Sequence, residues 1–289
     1  MKKKTIGLLV LLLIYTLAIC LGGFIFILLK EYMHYLLAIL IADVVATIFV
    51  WSTGLICKTA SVYDPYWSLQ TLFFYLGMLI LNQNWNFYTI SALVVVFLYS
   101  FRLTCNFIKG FHDLTYVDWR YKMLQEKSGK LFQLVNLFGI CMFPTLVVYS
   151  ASIPLFIYAF MPTNELSWLD LIGSFVILFG TLLEFVADGQ MKTFIKNRAS
   201  KSEVINVGLW KYSRHPNYLG EILIWFGASL ILIIGHLEYW YCLIGAVINL
   251  LMFVFISIPM EEKHMLEYKP EIEEYIKKTS CLLILPNKK

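Results

Sequence analysis

The run Ile6–Leu29 contains no charged residue. It exceeds the roughly 20 apolar residues that a helix needs to cross a bilayer's hydrocarbon core. Further apolar runs cover Tyr32–Cys57, Trp67–Leu81, Phe87–Leu103, Leu134–Phe160, Trp168–Ala187, Pro216–Gly235 and Tyr239–Ile258. In lipid every backbone N–H and C=O must be paired within the protein, so spanning segments are helices or closed barrels. The apolar–polar alternation of barrel strands is absent. Composition agrees: 60% of the 289 residues are hydrophobic and 15% charged, and mean hydropathy is +0.72. A soluble domain is nearer half apolar and a quarter charged. The chain reads as an all-α polytopic membrane bundle of about seven to eight transmembrane helices. The basic start Met1–Lys4 with its apolar run lacks an A-x-A cleavage site, so it reads as a first span or signal anchor.

Charge placement sets the expected topology. Basic residues collect in Lys2–Lys4, Lys58, the Arg102–Lys130 loop, the Lys192–Arg214 loop and the tail. With eight alternating spans these all fall on one side, which the positive-inside rule makes cytoplasmic, along with both termini. Nothing separates a plasma membrane from an endoplasmic reticulum membrane. The formal charge of +4 spread over loops does not suggest nucleic-acid binding. Six scattered Cys form no C-x-x-C pair, so no metal site is expected.

The most unusual stretch is GLWKYSRHPNYLGEILIWFG, Gly208–Gly227. Pro is favoured in the first turn of a helix, so a helix is predicted from about Pro216. Asn217 and Glu221 then share a face, with Tyr218 beside them. Arg214 and His215 stand just before the helix, where free N–H groups favour an anion. An interfacial cap with snorkelling cations is the plainer reading, but it does not need Asn and Glu inside an apolar run.

Other positions fall into stripes. Tyr99, Arg102 and Asn106 recur on one helical face, as do Glu184, Asp188 and Lys192 if that helix continues past Gly189. Arg102 by itself also suits a snorkelling cation at the membrane edge; the acidic and basic trio also suits helix-end ion pairs. Asp43, mid-span, either faces a polar cavity or is a neutral or paired structural residue. Asp64-Pro65 breaks the chain between spans. Asn106–Gln133 is expected to be an ordered amphipathic loop, Pro144 and Pro154 to kink the fifth span, and Pro259 to end the eighth. Glu261–Lys278 is expected to form one or two interfacial helices. The predicted topology brings Asp64, Tyr99, Arg102, Glu184, Asp188, Lys192, Arg214, Asn217 and Glu221 to one cytoplasm-facing pocket.

GLWKYSRHPNYLGEILIW, preceded by Glu184-x-x-x-Asp188, resembles the steroid 5-alpha-reductase C-terminal-like family of membrane reductases. YDPYW (Tyr63–Trp67) and DWRY (Asp118–Tyr121) are similar to its uncharacterised branch, labelled a domain of unknown function. The resemblance runs from about Ser61 to the C-terminus. It implies N-terminal helices over residues 1–60 and a reductase-like domain over 61–289, whose part from about 168 binds NADPH from the cytosol. It further implies that Arg102, Glu184, Asp188, Asn217, Glu221, His264 and Tyr268 line the cofactor site; by their own chemistry Lys192, Arg214, His215 and Tyr218 are expected beside them. Tyr99 would polarise a substrate carbonyl, with Asp64 as its acidic partner; Asp64-Pro65 is one residue shorter than the family's E-x-P. The activity so implied is reduction of a C=C bond conjugated to a carbonyl. The substrate would be a sterol, fatty-chain or isoprenoid molecule entering from the bilayer. The residue chemistry is compatible, since a Tyr held by a carboxylate can hydrogen-bond an oxygen where negative charge develops. Cations such as Lys192, Lys196, Arg198, Lys201 and Arg214 could meet the phosphates. No G-x-G-x-x-G follows a strand, so a Rossmann module is not expected.

Two other functions fit more loosely. RHPNYLG with Glu261-Glu262 also resembles isoprenylcysteine and phospholipid methyltransferases, which use S-adenosylmethionine. A non-catalytic lipid-binding membrane protein would keep the same fold.

Overall fold

A computed structural model describes residues 2–269 and 271–287. Among them there is no β-strand, only an isolated bridge between Ser213 and Ser280. The described residues form an all-α bundle, with seven helical segments among them long and apolar enough to cross a membrane. The chain divides between Leu166 and Ser167 into two units.

The first unit contains α1 (Lys2–Leu29), α2 (Tyr35–Cys57), α3 (Tyr66–Asn82), α4 (Phe87–Gly110), α5 (Trp119–Ser128) and α6 (Phe143–Tyr158). The start of α4 shows how an apolar run becomes a helix at a cap. The Asn86 side chain accepts from the N–H groups of Tyr88 and Thr89, and Thr89 closes the capping box, satisfying donors that helix starts leave free. The expected third span is a helix of 17 residues, about 25 Å at 1.5 Å per residue; it is too short to count among the seven. Between α5 and α6 the chain stays helical, passing through a π-helical stretch at Asn136–Met142. This widened turn directly precedes Pro144, whose ring cannot sit against an ordinary turn. Most of the expected Asn106–Gln133 loop is accordingly helical, in the end of α4 and in α5.

Buried polar side chains tie the helices of this unit together, as small hydroxyls do where lipid supplies no hydrophobic drive. Thr145 is the hub. Its hydroxyl pairs with those of Thr47 (3.0 Å) and Tyr63 (2.8 Å), and its carbonyl accepts from Gln70 Nε2 (3.3 Å). Tyr15 donates to the Val62 carbonyl at 2.7 Å. Tyr66 donates to Asp43 Oδ1 at 3.0 Å, which identifies Asp43 as a buried, hydrogen-bonded residue.

The second unit contains α7 (Asp170–Asn197), α8 (Pro216–Ile233), α9 (Leu243–Met252), α10 (Ile258–Leu266) and α11 (Ile272–Lys278). The helix does begin at Pro216, and α7 does continue past Gly189. These two helices touch backbone to backbone. A Cβ on Gly180 would lie 2.6 Å from the Gly220 carbonyl, and one on Gly173 would lie 2.3 Å from the Ile231 nitrogen. Pro259 does not end the eighth run. A π turn at Phe253–Ser257 precedes it, and helix resumes through Leu266; the wide turn accommodates the proline's missing N–H. The interfacial helices expected over Glu261–Lys278 correspond to the end of α10 and α11.

Candidate functional site

In the second unit the chemistry gathers around the start of α8. Arg214 Nε donates to Glu262 Oε1 at 2.6 Å, and His215 Nε2 lies 3.0 Å from the same oxygen. Arg214 Nη1 also donates to the carbonyls of Ile276 (2.9 Å) and Thr279 (2.6 Å). The backbone joins in: Arg214 N donates to Ser280 O and Leu285 N to Tyr212 O, while Ser213 Oγ donates to Leu282 O. The pre-helix loop therefore holds the C-terminal segment like a clasp, and Arg214 is its rivet. The buried His215 ring stacks on Tyr218 with centroids 5.2 Å apart and planes 4° from parallel. Tyr218 in turn packs on Phe253.

One turn into α8 the setting is drier. Glu221 and Glu184 are buried, and Glu221 Oε1 accepts from Trp225 Nε1 at 2.8 Å. Gly220 is what admits Glu184: a Cβ there would come within 2.4 Å of the Glu184 Cγ. Beside them, Asn217 Oδ1 is shut off from solvent with no hydrogen-bond partner, and so is Asn249 Oδ1 on α9. Such an acceptor is costly unless something donates to it. Along α7 the predicted stripe runs from buried Glu184 through partly exposed Asp188 to exposed Lys192.

At the end of α10, His264 meets Tyr268 edge-on at 5.3 Å and Glu267 at 3.3 Å. Lys269, which the sequence did not single out, is buried, with its ammonium 5.7 Å from the Tyr268 ring centre. Burial, and then repulsion from Arg198, pull the Lys269 ammonium below its usual range. Two cations that repel one another would both gain from a bound anion.

In the first unit the two stretches YDPYW and DWRY are knitted together. Tyr121 donates its hydroxyl to Asp64 Oδ1. Asp118 N donates to Ser61 Oγ at 3.3 Å, and Thr59 Oγ1 donates to Tyr116 O at 2.9 Å. Asp118 caps α5 and grips Arg120 with both oxygens, at 2.8 and 3.0 Å. Burial opposes ionisation of Asp118, but the Arg120 fork outweighs it and holds this carboxyl below the usual range. For Asp64 the balance reverses. Burial pushes its carboxyl up to about 7, against the lowering effects of the Tyr121 hydroxyl and Arg120. Tyr121, like Lys269, was not singled out as a candidate in the sequence; the presence of DWRY beside YDPYW was its signal. Tyr99 and Arg102 lie on α4, and both are buried. Arg102 thus does not snorkel at a helix end.

A raised carboxyl pKa favours folding most while the group is protonated. Its contribution is complete below about pH 4 and is lost as pH rises through about 7. Wild-type protein should therefore lose thermal stability between pH 5 and pH 8, and Asp64→Asn should flatten that fall while raising the midpoint at pH 8. Scanning both proteins in detergent checks this; parallel curves would show that Asp64 ionises without strain.

An uncharacterised protein from Schizosaccharomyces pombe is 27% identical over 201 residues, covering 61% of this chain. The chain spans 58% of that relative's length. No solved structure matches. The profile of the family described as "Protein of unknown function (DUF1295)" matches residues 49–279, most of the chain. With YDPYW, DWRY and the Arg214–Glu262 clasp all inside that match, the chain belongs to this family of uncharacterised proteins.

Proposed function

We propose that the protein is an integral membrane oxidoreductase that uses NADPH to reduce a C=C bond conjugated to a carbonyl in a lipophilic substrate. The observation that carries this reading is Asn217, whose Oδ1 is buried and lacks a donor on the motif that resembles the reductases' cofactor contacts. The carboxamide of a nicotinamide offers such a donor. The donor set suits the rest of the cofactor: Glu221 and Asp188 could accept from ribose hydroxyls, and Arg198 with Lys269 could meet phosphate. Bound there, the nicotinamide would supply a hydride. The chain's own contribution is to orient and to exclude water. In the first unit the Tyr121 hydroxyl donates to Asp64; when Asp64 is protonated the bond can reverse, which frees the Tyr121 proton for a developing enolate oxygen; Tyr99, on the resemblance, is the other tyrosine for that role. If α3 also crosses the membrane, eight crossings place both termini and all the basic clusters in the cytoplasm.

Asn217→Leu should weaken NADPH binding at least about tenfold, the loss of about 1.4 kcal/mol, with little change in melting temperature. Fluorescence titration of purified protein measures this; an unchanged affinity would remove Asn217 from the site.

The methyltransferase reading has one observation in its favour. Glu262 of the Glu261-Glu262 pair contacts both Arg214 and His215, joining the two parts of the pattern shared with those enzymes. It predicts S-adenosylmethionine as the ligand instead.

A further inference from the structure

Within the first unit, α1 and α3 flank a cavity of about 250 Å³. Part of its wall is α1, outside the stretch that matches the family profile. The lining is nearly all carbon, and it includes Ile27, Phe73, Ile80 and Leu81, which are also exposed on the outer face of the bundle. On a membrane protein that face meets lipid, so the cavity opens toward the bilayer. Two of its glycines keep it open. A Cβ on Gly23 or on Gly77 would touch nothing within 4 Å. Each glycine disfavours its helix by about 1 kcal/mol relative to alanine, and neither is there for close packing.

Three polar side chains line the cavity: Tyr15, Tyr66 and Gln70. Both tyrosine hydroxyls donate elsewhere, to Val62 O and to Asp43 Oδ1. Gln70 is 4% exposed. Its Nε2 donates to the Thr145 carbonyl, which fixes the amide's orientation, since the reverse flip would set oxygen against oxygen. Oε1 is thereby left buried with no partner. A ligand here needs an apolar body and one hydrogen-bond donor. A cationic donor would be expensive at membrane depth, by roughly 2.5–3.5 kcal/mol, and a carbonyl would meet Oε1 with a second acceptor.

We infer that this cavity binds a lipophilic alcohol from the bilayer, its chain lying along Gly23, Gly77 and Phe73 and its hydroxyl donating to Gln70 Oε1. This site is independent of the reductase reading, and binding there needs no NADPH.

Tritiated farnesol, a chain alcohol, is the test probe, bound to the full-length protein in phosphatidylcholine nanodiscs without cofactor. Unlabelled farnesol should displace it at concentrations at least tenfold lower than farnesyl methyl ether, which has the chain but no donor. Gln70→Leu should erase that difference. Gly77→Phe, whose Cβ would meet nothing within 4 Å and whose ring would occupy the cavity, should abolish saturable binding while the melting temperature stays close to wild type. Equal competition by alcohol and ether on the wild-type protein would overturn the inference, as would unchanged binding in a folded Gly77→Phe variant. The wild-type comparison decides the matter even if a variant fails to fold.

Discussion

Arg214→Ala should lower the melting temperature in detergent by about 10 °C and expose the C-terminal segment to trypsin at Lys277 and Lys278. The guanidinium joins Glu262 to two carbonyls of the returning chain, and both charged side chains are mostly buried, 13% and 16% exposed. Removing one partner of such a pair costs about 3–5 kcal/mol, because the other is left uncompensated. For a chain of this size each kcal/mol is worth roughly 2–4 °C. Arg214→Lys should recover only part of the loss, since an ammonium cannot present the forked set of donors. A variant that melts like wild type with a protected tail would show that backbone bonds and Ser213 hold the clasp unaided.

The second large effect is expected at the α7–α8 crossing. A methyl group on Gly180 or Gly220 would sit 2.6–2.7 Å from the facing helix's carbonyl oxygen, so the two backbones must separate. Overpacking of this kind costs typically about 1–3 kcal/mol, and here neighbouring Glu184 must shift too. Gly180→Ala and Gly220→Ala should each depress the melting temperature by about 5 °C or more, and the leucine variants should not fold. Gly189 lies on the same helix α7, but a Cβ there meets nothing within 4 Å. Gly189→Ala should be neutral or slightly stabilising, by the ordinary helix propensity difference. Thermal unfolding of the three alanine variants side by side checks this; equal melting points would mean that the close approach carries little energy.

Much of the bundle was legible because its signals are local. A proline after a polar stretch marks the start of α8, and continuous apolar runs mark the spans. What escaped is non-local. Pro259 looks like a terminator until a π turn five residues long is seen to take up its missing N–H. Glu262 lies 48 residues from Arg214, and no spacing rule announces that the chain returns there. The same holds for Tyr121 and Asp64, which are 57 residues apart: each motif was visible, but their bond was not. Arg102 was ambiguous for a different reason. An arginine near the end of an apolar run can snorkel or be enclosed, and only the packing around α4 decides for burial.

The reductase reading turns on the claim that the cofactor is NADPH. Purified protein in detergent, titrated separately with NADPH and S-adenosylmethionine by calorimetry, tests that claim without knowledge of the substrate. Saturable binding of NADPH, weakened at least tenfold in Asn217→Leu and unaffected by excess S-adenosylmethionine, is the predicted result. Saturable binding of S-adenosylmethionine with no response to NADPH would contradict it.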